Sequence, residues 1–132
     1  MLALILVASA IGALYGFRHR QLATIRHFQS YGGTIYQNTY LPRWLYRRVG
    51  GKYARGFCKI HGVGLSDSSI DDDALARLAN LAELDTIWLN NTQITDDGLR
   101  HLAGLRSMHV LELAATPIGD EGLEHLTGLT QL

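Results

Sequence analysis

Three stretches of this chain are nearly one stretch written three times. IDDDALARLANL (70–81), ITDDGLRHLAGL (94–105) and IGDEGLEHLTGL (118–129) share an Ile, an Asp and three Leu at matching places, at a spacing of 24 residues. The segments ahead of them align as well: IHGVGLSDS (60–68), LDTIWLNNT (84–92) and MHVLELAAT (108–116) each read apolar-x-x-apolar-x-Leu-x-x-Thr/Ser. A unit this short cannot bury both sides of its own apolar layer, so a fixed period means that successive units stack and share one interior. Few architectures satisfy that demand.

The pattern also fixes which residues face where. Side chains in a strand alternate sides, so Ile87 and Leu89 are expected to point into the core and Thr86, Trp88 and Asn90 outward. Ile94 turns inward, Leu99 and Leu102 at i, i+3 give the returning helix its buried stripe, and Leu105 closes the unit. Val63, Ile87 and Leu111 occupy equivalent inward slots of the three units. Asp72, Asp96 and Asp120 fall at the helix starts, where a carboxylate accepts orphan backbone N–H groups and favours the positive end of the helix dipole.

The motif ITDxGLxxLxxLxxLxxLxLxxT resembles the leucine-rich repeats abundant in planctomycete bacteria and in the substrate-receptor arm of eukaryotic F-box proteins. The whole chain is similar to small planctomycete membrane proteins that carry an N-terminal anchor, a GG-x-x-Y segment (Gly32, Gly33, Tyr36), a P-x-W-L segment (Pro42, Trp44, Leu45) and then such repeats. The repeat resemblance covers 60–132. It implies an α/β leucine-rich repeat solenoid, with a short parallel β-sheet on the concave side and helices on the convex side. It further implies an anchored binding module with no enzymatic activity. No F-box is visible upstream.

Ahead of the repeats, MLALILVASAIGALYGF runs seventeen residues without a charge and is followed at once by RHRQ. As a helix it spans roughly 25 Å, enough to cross a thin bilayer core if Arg18 and Arg20 snorkel to the headgroups. A transmembrane helix over 1–17 is therefore expected. A signal peptide cleaved at Ala8-Ser9-Ala10 is the alternative, but it would have too short an apolar core and no preceding basic residue. A buried core helix is the other alternative. Ala8, Gly12 and Gly16 form a small-residue ridge on which two such helices can pack. The basic residues follow the apolar run, which places the bulk of the chain in the cytoplasm.

Charge divides the chain. Residues 1–66 contain nine Lys/Arg and no acid, whereas 67–132 contain all twelve acids and three Arg. Residues 18–56 are expected to form a basic juxtamembrane helix and an α/β cap over the repeats, with Arg18, Arg20 and Arg26 toward anionic lipid. Gly32-Gly33 stops the first helix, TIYQNTY (34–40) is β-branched and aromatic, and Pro42 permits a second helix. Arg43, Arg47, Arg48, Lys52 and Arg55 interleave with Trp44, Tyr46 and Tyr53, a pattern that nucleic-acid binding would also use. Membrane proximity explains the same charges and no nucleic-acid motif accompanies them. The repeat domain is assigned to 57–132, about three 24-residue repeats.

Candidates for chemistry are sparse. One cysteine, Cys58, permits no internal disulfide. Cys58-x-x-His61 lacks an acidic orienter in sequence, Asp71-Asp72-Asp73 lacks the spacing of a calcium loop, and His101 with His125 lacks a third ligand. No cofactor, metal or catalytic residue is expected. The expected binding residues are the outward strand positions: Gly62, Gly64 and Ser66; Thr86, Trp88 and Asn90; Val110 and Glu112, with Ala114 beside them. An outward Trp88 is a typical interface anchor, and Gly62 and Gly64 would leave a shallow recess beside it. Leu132 is the first position of a fourth unit, so an uncapped apolar end is expected there. The resulting expectation is a membrane-anchored protein-interaction module for an unknown protein partner. The alternatives are a truncated or self-associating repeat fragment, pairing through Gly12, Gly16 or that end, and the recognition arm of a larger assembly.

Overall fold

The computed structural model describes residues 23–39 and 58–132. They form a mixed α/β structure around one four-stranded sheet of order β1-β2-β3-β4. The strands are β1 (Thr34–Thr39), β2 (Cys58–Gly64), β3 (Thr86–Trp88) and β4 (Val110–Glu112). β2, β3 and β4 are parallel, with Gly62 opposite Thr86 opposite Val110 and Gly64 opposite Trp88 opposite Glu112. The sequence period is thus the strand register. β1 departs from the expected all-parallel sheet: it runs antiparallel to β2, pairing Thr34 with Gly64 and Tyr36 with Gly62, with an irregularity after Tyr36.

A helix over residues 23–30, α1, leads into β1. Gly32 at φ +79° makes the turn that ends it, a backbone conformation that costs glycine little. Gly33 follows with its N–H on the Phe28 carbonyl at 3.0 Å. A methyl at Gly33 would sit 2.6 Å from Leu65 Cδ2 and 2.7 Å from the Phe28 oxygen, so α1 presses on β2 too closely for any side chain. Phe28 enters the same core as Leu65 and Leu75 and is fully buried.

Each unit leaves its strand through one left-handed residue: Asp67 (φ 59°), Asn91 (φ 53°) and Ala115 (φ 56°), at matching positions. The following hydroxyl folds back on the carbonyl three residues earlier, Ser68 on Leu65 (2.6 Å), Thr92 on Leu89 (2.8 Å) and Thr116 on Leu113 (2.5 Å). That bond is why the motif ends in Thr or Ser. The chain then returns through a single turn of α-helix: α2 (Asp72–Leu75), α3 (Asp96–Leu99) and α4 (Asp120–Glu124). In the first two units a 3₁₀ turn follows, Leu78–Asn80 and Arg100–Leu102. With a rise of ~2.0 Å per residue, the 3₁₀ form covers the return distance in fewer residues than an α-helix.

The helix-start aspartates do something other than expected. Asp71, one residue earlier, caps α2 by accepting the Ala74 N–H at 2.8 Å. Asp72 instead reaches to the next unit, where Oδ1 accepts the Thr95 N–H (3.0 Å) and Oδ2 the Thr95 hydroxyl (2.6 Å). Asp96 repeats the move on the Gly119 N–H at 2.8 Å. Each carboxylate passes over the third helical residue of the following unit, and a methyl at Gly98 or Gly122 would overlap the crossing Oδ1 atom. The first unit has Ala74 at that place, 3% exposed, because no carboxylate crosses it.

Val63 and Ile87, Leu65 and Leu89, Ile70 and Ile94, Leu75 and Leu99, and Leu78 and Leu102 are all buried to 1% or less. Burial is lower in the third unit. Leu111, Leu113 and Ile118 are half-buried and Leu123 is 52% exposed. Leu111, Leu113 and Ile118 pack against the buried core, and among the described residues no strand lies beyond β4.

Among the described residues no helix is long and apolar enough to cross a membrane. The expected membrane helix over 1–17, with Gly12 and Gly16, lies outside the described residues, as do Arg18, Arg20, Pro42, Trp44 and Leu45. Arg26 is exposed on α1.

Candidate functional site

Paired strand positions share a face, and so do positions two apart along a strand. Two rows therefore cross one face of the sheet: Thr34–Gly64–Trp88–Glu112 and Tyr36–Gly62–Thr86–Val110. Ser66, Asn90 and Ala114 continue the face beyond the strand ends. All eight residues expected to bind a partner lie on it. Tyr36 joins them, and sequence reasoning did not assign it to the site. The signal was there in the two glycines: units two and three carry Thr86 with Trp88 and Val110 with Glu112, whereas unit one leaves bare backbone for another chain segment to cover.

Trp88 is less free than alternation alone implied. Its ring leans across the sheet until the indole and the Tyr36 phenol lie 5.2 Å apart, inclined at 58°. A methyl on Gly62 would meet Tyr36 Cβ at 3.2 Å and Trp88 Cζ3 at 3.5 Å, so both rings sit over that glycine. Trp88 is consequently half-buried rather than exposed, and Gly62 contributes no open space. The recess lies one row along, at Gly64. It is an open hollow of about 330 Å³ lined by Tyr36 and Trp88 together with Gly32, Thr34, Gly64 and Ser66.

On its other edge Trp88 donates its indole N–H to Glu112 Oε1 at 3.1 Å. Glu112 Oε2 accepts from the Asn90 amide at 2.6 Å, and Asn90 Oδ1 in turn accepts the Ala114 backbone N–H at 2.8 Å. The amide orientation of Asn90 is thereby fixed, and through Glu112 the plane of the indole. Val110 stands beside them, 42% exposed. Among the described residues of the two rows, Glu112 alone is charged. The salt bridges among the described residues, Lys59 with Glu83 and Arg100 with Asp97, lie elsewhere.

Other sequence candidates are not brought together. Asp71 caps α2, Asp72 is bonded to Thr95 of the next unit, and Asp73 is exposed on the helix surface. His101 is half-buried and His125 exposed, one unit apart. His61 keeps Nδ1 buried without a hydrogen bond, while the side chain of Cys58 lies outside the described residues.

No protein-family model matches this chain, and no curated protein matches it. Among solved structures it is similar to an internalin (inlF) from Listeria monocytogenes, at 28% identity and a TM-score of 0.40. That similarity covers 43% of this chain and 16% of the internalin chain, so this chain spans far less than two thirds of that protein. The neighbour is a distant one.

Proposed function

We infer that the chain is a short leucine-rich repeat solenoid that binds another protein through the face carrying Tyr36 and Trp88, tethered to a membrane by its apolar segment 1–17. One observation carries this reading. Two aromatic rings on an open sheet face are held in place before any partner arrives, Trp88 by Glu112 and the Asn90–Ala114 link behind it. Aromatic anchors dominate binding energy at protein interfaces, and anchors already ordered lose little side-chain entropy on association. Val110 adds apolar area beside them. The proposal includes no catalytic step.

A photo-crosslinking amino acid placed at Val110 in cells tests it. The reading expects a discrete crosslinked partner from Val110, none from the opposite surface at Arg100, and loss of the Val110 product on Trp88→Ala. Equal products from both positions, or persistence in the Trp88→Ala chain, would overturn it. A second reading is favoured by the exposure of Leu123 and the half-burial of Leu111, Leu113 and Ile118: self-association through the third unit. Sedimentation of the full chain in detergent distinguishes it, because Leu123→Glu should then shift oligomer to monomer while leaving the Val110 crosslink intact.

A further inference from the structure

We propose that the site takes a lysine side chain from an extended segment of the partner protein, with the ammonium against the Tyr36 and Trp88 rings in the recess beside Gly64. This rests on the docking reading and names the chemistry of its partner. A cation is attracted to the electron-rich faces of Trp and Tyr, and most strongly to Trp. Here the indole is further polarised, because its N–H is donated to the Glu112 carboxylate at 3.1 Å. Donation to an anion pushes electron density into the ring, and the carboxylate adds its own field a few ångströms behind it.

The rest of the recess suits an ammonium. Thr34 and Ser66, both hydroxyl residues, line its wall, and none of its described lining residues is basic. Glu112 has each oxygen engaged by one neutral donor and no cationic partner among the described residues. Trp88, on one edge of the recess, and its partner Glu112 belong to residues 67–132, which hold twelve acids against three arginines, so a basic segment is drawn toward that edge. An acidic partner would meet the same field as repulsion.

The experiment uses the full chain in a non-ionic detergent with fluorine-labelled tryptophan, the Trp88 resonance being assigned from Trp88→Phe. The probes are serine–alanine peptides of one length whose central residue is lysine, norleucine or N-acetyl-lysine. The lysine peptide should shift the Trp88 resonance saturably and bind about fivefold tighter than either neutral peptide, a preference of the size a partly exposed cation–π contact and ion pair supply. Glu112→Gln, which keeps an acceptor for the indole, should erase most of that preference, and added salt should weaken only the lysine peptide. Neutral peptides binding as tightly as the lysine peptide would overturn the cation assignment while leaving the docking face in place. If no peptide moves Trp88, the assignment falls too, and the Val110 crosslink decides the docking reading independently.

Discussion

Replacing Gly98 with alanine should reverse the usual sign of a glycine-to-alanine change in a helix, and should do so through a residue in the preceding unit. In an ordinary helix the substitution gains up to ~1 kcal/mol. Here the new methyl overlaps Asp72 Oδ1, so the carboxylate must withdraw from both of its bonds to Thr95, at 3.0 and 2.6 Å. Hydrogen bonds to a charged group are worth ~1.5–3 kcal/mol when buried, and about 1 kcal/mol each is reasonable for this half-exposed pair. Ile94 Cγ2, 3.0 Å from the methyl position, adds crowding. The net cost is about 1–2 kcal/mol. With Asp72→Ala already present the bonds are gone and the space over Gly98 is open on that side. Gly98→Ala should then be close to neutral, giving a coupling of about 1–2 kcal/mol between residues 72 and 98 in a double-mutant cycle. Urea unfolding of the four chains, followed by circular dichroism, measures it. An equal cost for Gly98→Ala in both backgrounds would refute the crossing carboxylate as the reason for the glycine.

Ala115→Asn should stabilise the chain by about 1 kcal/mol in the same assay, because φ 56° penalises an alanine that Asn91 and Asp67 avoid at matching positions. Gly33→Ala should cost more than Gly32→Ala although only Gly32 has a positive φ: Gly32 has open space around it, whereas a methyl at Gly33 is met by the Phe28 backbone oxygen at 2.7 Å. Gly32→Ala should lose about 1 kcal/mol of stability, read from the shift in urea midpoint.

The sequence period was enough to place Gly62 opposite Thr86 opposite Val110, because a strand register repeated at the spacing of the motif leaves no other solution. It was also enough to assign the inward leucines of the first two units. It did not reveal what the aspartates touch. A helix-start carboxylate has its own helix and the next unit equally in reach, and only the backbone path decides between them. In the third unit equivalence in sequence fixes orientation alone, because burial also needs a neighbour on the far side. Tyr36 escaped assignment because β1 pairs antiparallel, outside the period, so no repeat fixes its register. Trp88 was assigned to the correct face, but a side chain that long leans onto its neighbours, and strand alternation says nothing about where it leans.

The crossing carboxylates also restrict how a chain of this design can change length. An insertion or deletion keeps every aspartate over a glycine only when it removes or adds a whole 24-residue module. Duplicating the second module satisfies that condition, since its Asp96 would pass over a second copy of Gly98. Duplicating the first does not, because the copied Ala74 would thrust its methyl under the preceding Asp72. A single methyl group thus reserves the first module for the first place, and tandem growth of such an array proceeds from the modules after it, which carry both the aspartate and the glycine.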